Sequence, residues 1–280
     1  MPADLDEPIF DDYDERDLPA GVRAELKGVS PAAAYVIGGH LLAAGALLDD
    51  DPAAALAHTQ AAKKRGGRLQ VVREALAEAA YAAEDYKVAA AEYQALRRMT
   101  NNDDYVPVLA DCQRALGKPA AALELLGAVD PARLSADQRI EAVLVAAGAR
   151  QDLGQSEEAQ RLLRSAIASR RGGRSGQARL RYAYAAALTA AGAVADAASW
   201  FESAAEFDPS GRSTGEDPGE AGDEFVVDEE VGADWDAMNE PMVDGESQTA
   251  TEQAAPEGAE PDAEDAEDAP DPEDAGDAHD

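Results

Sequence analysis

The residues in this chain best suited to hold a metal or launch a nucleophile are His40, His58, His279 and Cys112. A metal site gathers His, thiolate or carboxylate donors at short, characteristic spacings, and no two of these four stand at one. A single thiol also excludes an intrachain disulfide and a multi-thiolate zinc site. Cys112 lies among Leu, Ala and Val, the setting of a small core residue, not of an activated thiol. The two GGR triplets, at 66–68 and 172–174, lack the preceding strand and the Lys-Ser/Thr ending of a phosphate loop. No serine occupies a nucleophile-elbow context. The sequence therefore predicts no enzyme, no cofactor and no metal, and the chemistry left to it is binding. His40 is expected on an interface or groove and His58 on a partly exposed helix surface.

Charge narrows the choice of partner. The formal net charge is -33, and segments 1–20, 21–210 and 211–280 hold -7, -1 and -25 of it. Such a near-neutral middle is not the uniformly acidic surface of a salt-adapted domain. Direct nucleic-acid binding is excluded, because phosphate contacts need a basic footprint. Basic clusters do occur at Lys63, Lys64, Arg65 and Arg68, at Arg97 and Arg98, and at Arg170, Arg171 and Arg174. Each is expected near the C-terminal end of a helix, where cations meet the dipole and loose carbonyls. The functional alternative has these ends line one edge and receive an acidic partner, the chain's own tail included.

The acidic start, MPADLDEPIFDDYDERDLP, lacks the basic and apolar stretches of a secretory signal, so the expected location is cytoplasmic. The longest apolar run, 32–48, is 17 residues, mostly Ala and Gly, with His40 inside it. That is short of the ~20 strongly apolar residues a spanning helix needs. It reads as one helix of a pair, with no membrane partner.

The elements that would carry a binding surface are short helices. Between 21 and 210 the strong helix formers Ala, Leu, Glu, Arg and Gln dominate, and apolar residues recur at three- and four-residue spacing, as in Leu69, Val72, Leu76 and Ala80. The pattern breaks at regular intervals. Asp50, Glu84, Gly117, Gly154 and Gly192 mark interhelix turns spaced 34, 33, 37 and 38 residues apart, the two longer gaps holding the inserts DPARLS and RRGGRS. That period is about that of a two-helix repeat. After each turn comes a small residue, Ala55, Ala89, Ala122, Ala159 and Ala197, and four positions later Thr59, Tyr93, Leu126, Leu163 and Phe201. The next small position holds Ala62, Leu96, Val129, Ala166 and Ala204, and on the first helices Leu42, Leu76 and Leu109 are each followed by Ala.

This arrangement resembles the tetratricopeptide repeat, of the Ala- and Arg-rich kind seen in high-GC bacteria. The likeness covers residues 36–209 and is fullest in the last repeat, with Gly192, Ala197, Phe201, Ala204 and Pro209 in place. It implies an all-α fold, a right-handed superhelical solenoid of about five hairpins, with 18–35 as a partial N-terminal cap. It further implies an adaptor or scaffold that binds a protein or peptide segment along a groove made by the first helices. Carried over position by position, the groove residues are His40 and Ala44, Glu74, Glu78 and Tyr81, Asp111 and Arg114, Leu144 and Gln151, and Arg179 and Tyr182. The Lys and Asn pattern by which some members grip a C-terminal carboxylate is missing at these positions.

Domain boundaries follow: 1–17, an acidic disordered segment; 18–210, the solenoid; 211–280, an acidic tail too polar and charged to fold by itself. Within the tail, 224–242 carries Phe225, Val226, Val227, Val231, Trp235 and Met238 among acids. The rival reading makes this tail the active element, contacting or mimicking ligands of basic partners with the helices as its mount.

Overall fold

Sequence between Tyr13 and Asp208 folds as helix after helix, and no strand occurs among the described residues, which in this computed structural model are 13–170 and 172–208. All belong to the first of two units of the chain, Met1–Glu240. A short helix α1 (Ala20–Leu26) precedes five consecutive pairs: α2 (Pro31–Leu47) with α3 (Pro52–Gly66), α4 (Gln70–Ala82) with α5 (Tyr86–Thr100), α6 (Val106–Ala115) with α7 (Pro119–Gly127), α8 (Ala136–Asp152) with α9 (Ser156–Ala168), and α10 (Arg174–Ala190) with α11 (Val194–Phe207). Each helix from α2 onward packs on the next in sequence, and the first helices also touch one another between α2 and α4, α6 and α8, and α8 and α10. The helices begin where local chemistry starts them. Ser30, Asp51, Asp85 and Ser135 accept hydrogen bonds from the first-turn N–H groups of Ala33, Ala54, Val88 and Gln138.

Four of the five predicted turn residues adopt the left-handed conformation, at φ 59° for Glu84 and 73°, 77° and 83° for Gly117, Gly154 and Gly192. The same two hydrogen bonds close each of these turns. In the third hairpin Gly117 N–H donates to the Arg114 carbonyl and Lys118 N–H to the Gln113 carbonyl, both at 2.9 Å. These are the paired bonds of the Schellman motif, which satisfy carbonyls that a helix end leaves open. Hairpin one differs: Asp50 is not left-handed, and the chain re-enters a helix through the Asp51 cap. A residue with a Cβ costs about 1–2 kcal/mol in this conformation, whereas glycine adds about 0.5–1 kcal/mol of unfolded-chain entropy. Glu84→Gly should therefore stabilise the protein by about 0.5 kcal/mol, while Gly117→Ala, whose added Cβ meets nothing within 4 Å, should cost about 1 kcal/mol. Urea midpoints of the two variants check this.

The core sits where the period places it. Ala55, Ala89, Ala122, Ala159 and Ala197 are all buried, as are Ala62, Leu96, Val129, Ala166 and Ala204. On the first helices the small position is buried at Ala43, Ala77 and Ala110, and continues at Ala147 and Ala185 in the last two pairs. Small side chains there let two helices approach closely enough to interlock. Cys112 is buried, as expected of a core residue.

Two buried carboxylates tie neighbouring pairs together. Glu92 on α5 meets Lys63 Nζ of α3 at 2.5 Å and Arg73 Nη1 of α4 at 2.6 Å. Asp103, in the loop after α5, meets Arg97 at 2.8 Å and Arg133, just after α7, at 2.5 Å. Two residues of the predicted basic clusters, Lys63 and Arg97, are thus engaged by internal acids. The sequence places 1–17 outside the fold, yet its last residues join it: Glu15–Asp17 form a 3-10 turn, and Tyr13 stacks on Tyr35 and donates to its carbonyl at 2.8 Å. Gly38 makes room for this. A Cβ there would collide with Tyr13 Oη.

Candidate functional site

Side chains of the first helices form a polar ladder across successive pairs. Tyr105, at the entry to α6, donates to Glu74 of α4, which also accepts from Gln70 at 3.0 Å. Tyr81 of α4 donates to Asp111 Oδ2 of α6 at 2.5 Å, and Arg114 Nε closes on Asp111 Oδ1 at 2.9 Å. Arg114 reaches on to Asp152 of α8 at 3.5 Å, and Glu141 of α8 holds Arg179 of α10 through both guanidinium nitrogens. Five of the eleven expected groove residues, Glu74, Tyr81, Asp111, Arg114 and Arg179, are therefore engaged with one another or with a neighbour. The hydroxyls are held protonated: burial and the adjacent carboxylates raise the pKa of Tyr81 and of Tyr105 well above the usual phenol value.

Between α4, α5, α6 and α8 this surface opens into a cavity of about 460 Å³ lined by Tyr81, Tyr93, Asp104, Tyr105, Asp111 and Glu141 among others. Glu78, on α4, is exposed by surface area, yet the protein around it and the charge of Glu74 raise its carboxyl pKa. Gln151 is half-buried, and Tyr182 is 45% exposed with its ring edge-on to Phe201. Neither lines the cavity.

His40 does not face a groove. It is fully buried, as is its partner His58, and their Nδ1 atoms are 3.0 Å apart, so one ring must donate and the other accept. Ala44 is buried as well. The physical reason for the misplacement is local: His40 is turned toward α3, where His58 answers it, and the non-left-handed first turn gives the repeat-derived offset no fixed anchor there. Burial lowers the His58 pKa below 6.5. The unfolded chain therefore binds this proton first as pH falls, and the native state is disfavoured. Stability should be full above about pH 6.5 and decline from there toward the lower folded pKa. Urea midpoints between pH 7.5 and 5 check it, and His58→Leu should flatten that slope.

Arg174 is displaced from its expected place too. It starts α10 instead of ending a second helix, and its guanidinium caps the Glu206 carbonyl at the end of α11 at 2.8 Å. Lys63 and Arg97 serve buried acids as described, and Arg65, Arg68 and Arg98 remain on the surface. Arg171, Pro209, the tail 211–280 and its 224–242 segment lie outside the described residues.

The sequence reading missed Asp104, Tyr105 and Glu141 as site residues, and it took Tyr93 only as a packing aromatic. The signal for the first two was present in NNDDYVP, an acid-rich loop with a tyrosine directly before a helix that Pro107 marks. Cys112, whose thiol burial and Asp111 push up to about 12, is inert at neutral pH. Among the described residues no group of three or more His, Cys, Asp or Glu converges as a metal site would require, and no helix is long and apolar enough to cross a membrane. No family model matches the chain, and no curated protein matches it either.

Proposed function

We propose that the protein is a non-enzymatic adaptor whose five helix pairs form a right-handed superhelical solenoid of the tetratricopeptide kind, with an extended peptide segment of a partner protein bound along the first-helix face. The reading rests above all on the cavity among Tyr81, Tyr93, Tyr105 and Asp111, an open, half-desolvated surface of aromatic and charged groups built on packed helices. Aromatic rings with few rotamers and charged groups freed from water are the features that concentrate binding energy. Support for the solenoid comes from the recurring turn, the five buried alanines after it and packing that runs from each helix to the next. Serial packing of this sort leaves a continuous face along the array.

The test uses extended peptides selected from a random display library against the full-length chain. A photo-crosslinking side chain in place of Glu78 should capture them. One in place of Gln94 or Glu124, which border a separate surface cavity beside α5 and α7, should not. Capture only from Gln94 or Glu124, or by the 211–280 tail, overturns the reading.

A further inference from the structure

We propose that the cavity between α4, α5, α6 and α8 is an arginine pocket, taking the guanidinium of an arginine on the extended segment of a partner protein. This deepens the proposed function and rests on it for the identity of the ligand's carrier. The charge of the site selects a cation. Glu74, Glu78, Asp104, Asp111 and Glu141 stand at or beside the cavity, and only Arg114 and Arg179 answer them among the described residues.

Two polar groups lining the cavity, and a third beside it, are left for a ligand. Tyr93 is 8% exposed and lines the cavity, yet its hydroxyl has no hydrogen-bond partner among the described residues. The ring is packed away while the hydroxyl opens into the cavity, so it is free to bond a ligand without breaking an internal hydrogen bond. Asp104 accepts the Ser135 N–H on Oδ1 at 2.8 Å, and its Oδ2 has no partner among the described residues. The Glu78 carboxylate makes no hydrogen bond or ion pair among them and, beside the cavity, shares the α4 face with Glu74 and with the cavity-lining Tyr81, one turn away on either side.

Shape then chooses among cations. The Tyr93 and Tyr105 rings are 6.2 Å apart and inclined at 34°, giving a planar group ring faces to stack on. Pro107, Val108 and Val145 offer apolar lining for the methylene stem. A guanidinium is planar, weakly hydrated and presents a fork of five donors to separated acceptors, whereas an ammonium is a strongly hydrated point charge. Among the described residues no three of these carboxylates converge as an inorganic cation would require. The chain's own acidic tail is repelled by the same charge.

Full-length protein carrying 13C-labelled tyrosine rings is titrated with the amidated, acetylated peptide Gly-Ser-Arg-Ser-Gly and with its lysine counterpart, the ring signals being assigned with Tyr93→Phe and Tyr105→Phe. The arginine peptide should shift the Tyr93 and Tyr105 signals saturably, about tenfold more tightly than the lysine peptide. The double variant Glu78→Gln, Asp104→Asn should bind about tenfold more weakly, with its other tyrosine signals unmoved as proof of folding. Equal shifts from both peptides, shifts that bypass Tyr93 and Tyr105, or unchanged affinity in the double variant overturn the pocket. Display-selected peptides that lack arginine yet occupy the first-helix face would overturn the pocket and leave the adaptor reading. Saturable shifts at Tyr93 and Tyr105 with no extended peptide on that face would do the reverse.

Discussion

Leu126→Ala should lower stability by about 3 kcal/mol and make unfolding visibly less cooperative. Leu126 on α7 is fully buried in an apolar cluster with Val106, Leu134, Ile140, Val143 and Leu163, contributed by α6, α8, α9 and the loop after α7. Removing three carbons from such a site forfeits transfer energy and leaves a cavity, for about 2–5 kcal/mol in all. A separate cluster around Leu18, Ile37, Leu41 and Val72 holds the N-terminal helices. In a chain whose helices lean mainly on sequence neighbours, damage in one cluster need not melt the other at once. Amide exchange should therefore quicken first in α6 to α11, with α2 and α3 protected longer. A uniform acceleration through all helices would contradict the serial picture.

Glu92→Gln should cost about 2 kcal/mol. The glutamate is 5% exposed and pairs with both Lys63 and Arg73, one carboxylate oxygen to each. Removing one partner of a buried ion pair leaves the other charges unanswered, a loss of about 3–5 kcal/mol when all are buried. Here the cost is smaller because Lys63 and Arg73 keep 38% and 23% of their side-chain exposure and can be rehydrated. A double-mutant cycle with Arg73→Gln should return a coupling of about 1 kcal/mol, read from urea denaturation. A coupling near zero would mean that the contact organises α3, α4 and α5 without stabilising them.

These two residues also mark where sequence reasoning succeeded and where it failed. Leu126 was legible because it occupies the position nine residues after a turn residue, whose periodicity runs through Thr59, Tyr93, Leu163 and Phe201. The turns themselves were legible because glycine in a left-handed position leaves a mark in the sequence, and Glu84 was found only by register with the glycines. Glu92 was not legible. It stands eight residues after its turn, where the other pairs place His58, Leu125, Leu162 and Trp200. This position points toward first helices: His58 meets His40, and Trp200 meets Tyr184 edge-on at 5.0 Å. A glutamate or histidine on a helix reads as surface unless its buried partner is known, and those partners lie 18 to 29 residues away.

The candidate site divides in the same way. Glu74, Glu78, Tyr81, Asp111, Arg114 and Arg179 were placed on one side of the first helices by carrying over positions from the repeat they resemble, and the structure links most of them through the ladder. His40 failed because it is turned toward α3 and paired with His58, a contact that no repeat pattern describes. Tyr105 and Asp104 escaped because they belong to a loop outside the period, and loops carry binding groups that periodicity cannot locate.

Hydrogen exchange of the unmodified full-length chain, with and without a display-selected extended peptide, tests the adaptor account most directly. Slowed exchange confined to Gln70–Ala82, Val106–Ala115, Ala136–Asp152 and the 101–105 loop is the result the account predicts. Slowing in Tyr86–Thr100 and Pro119–Gly127 without the first helices, or within 211–280 alone, would contradict it.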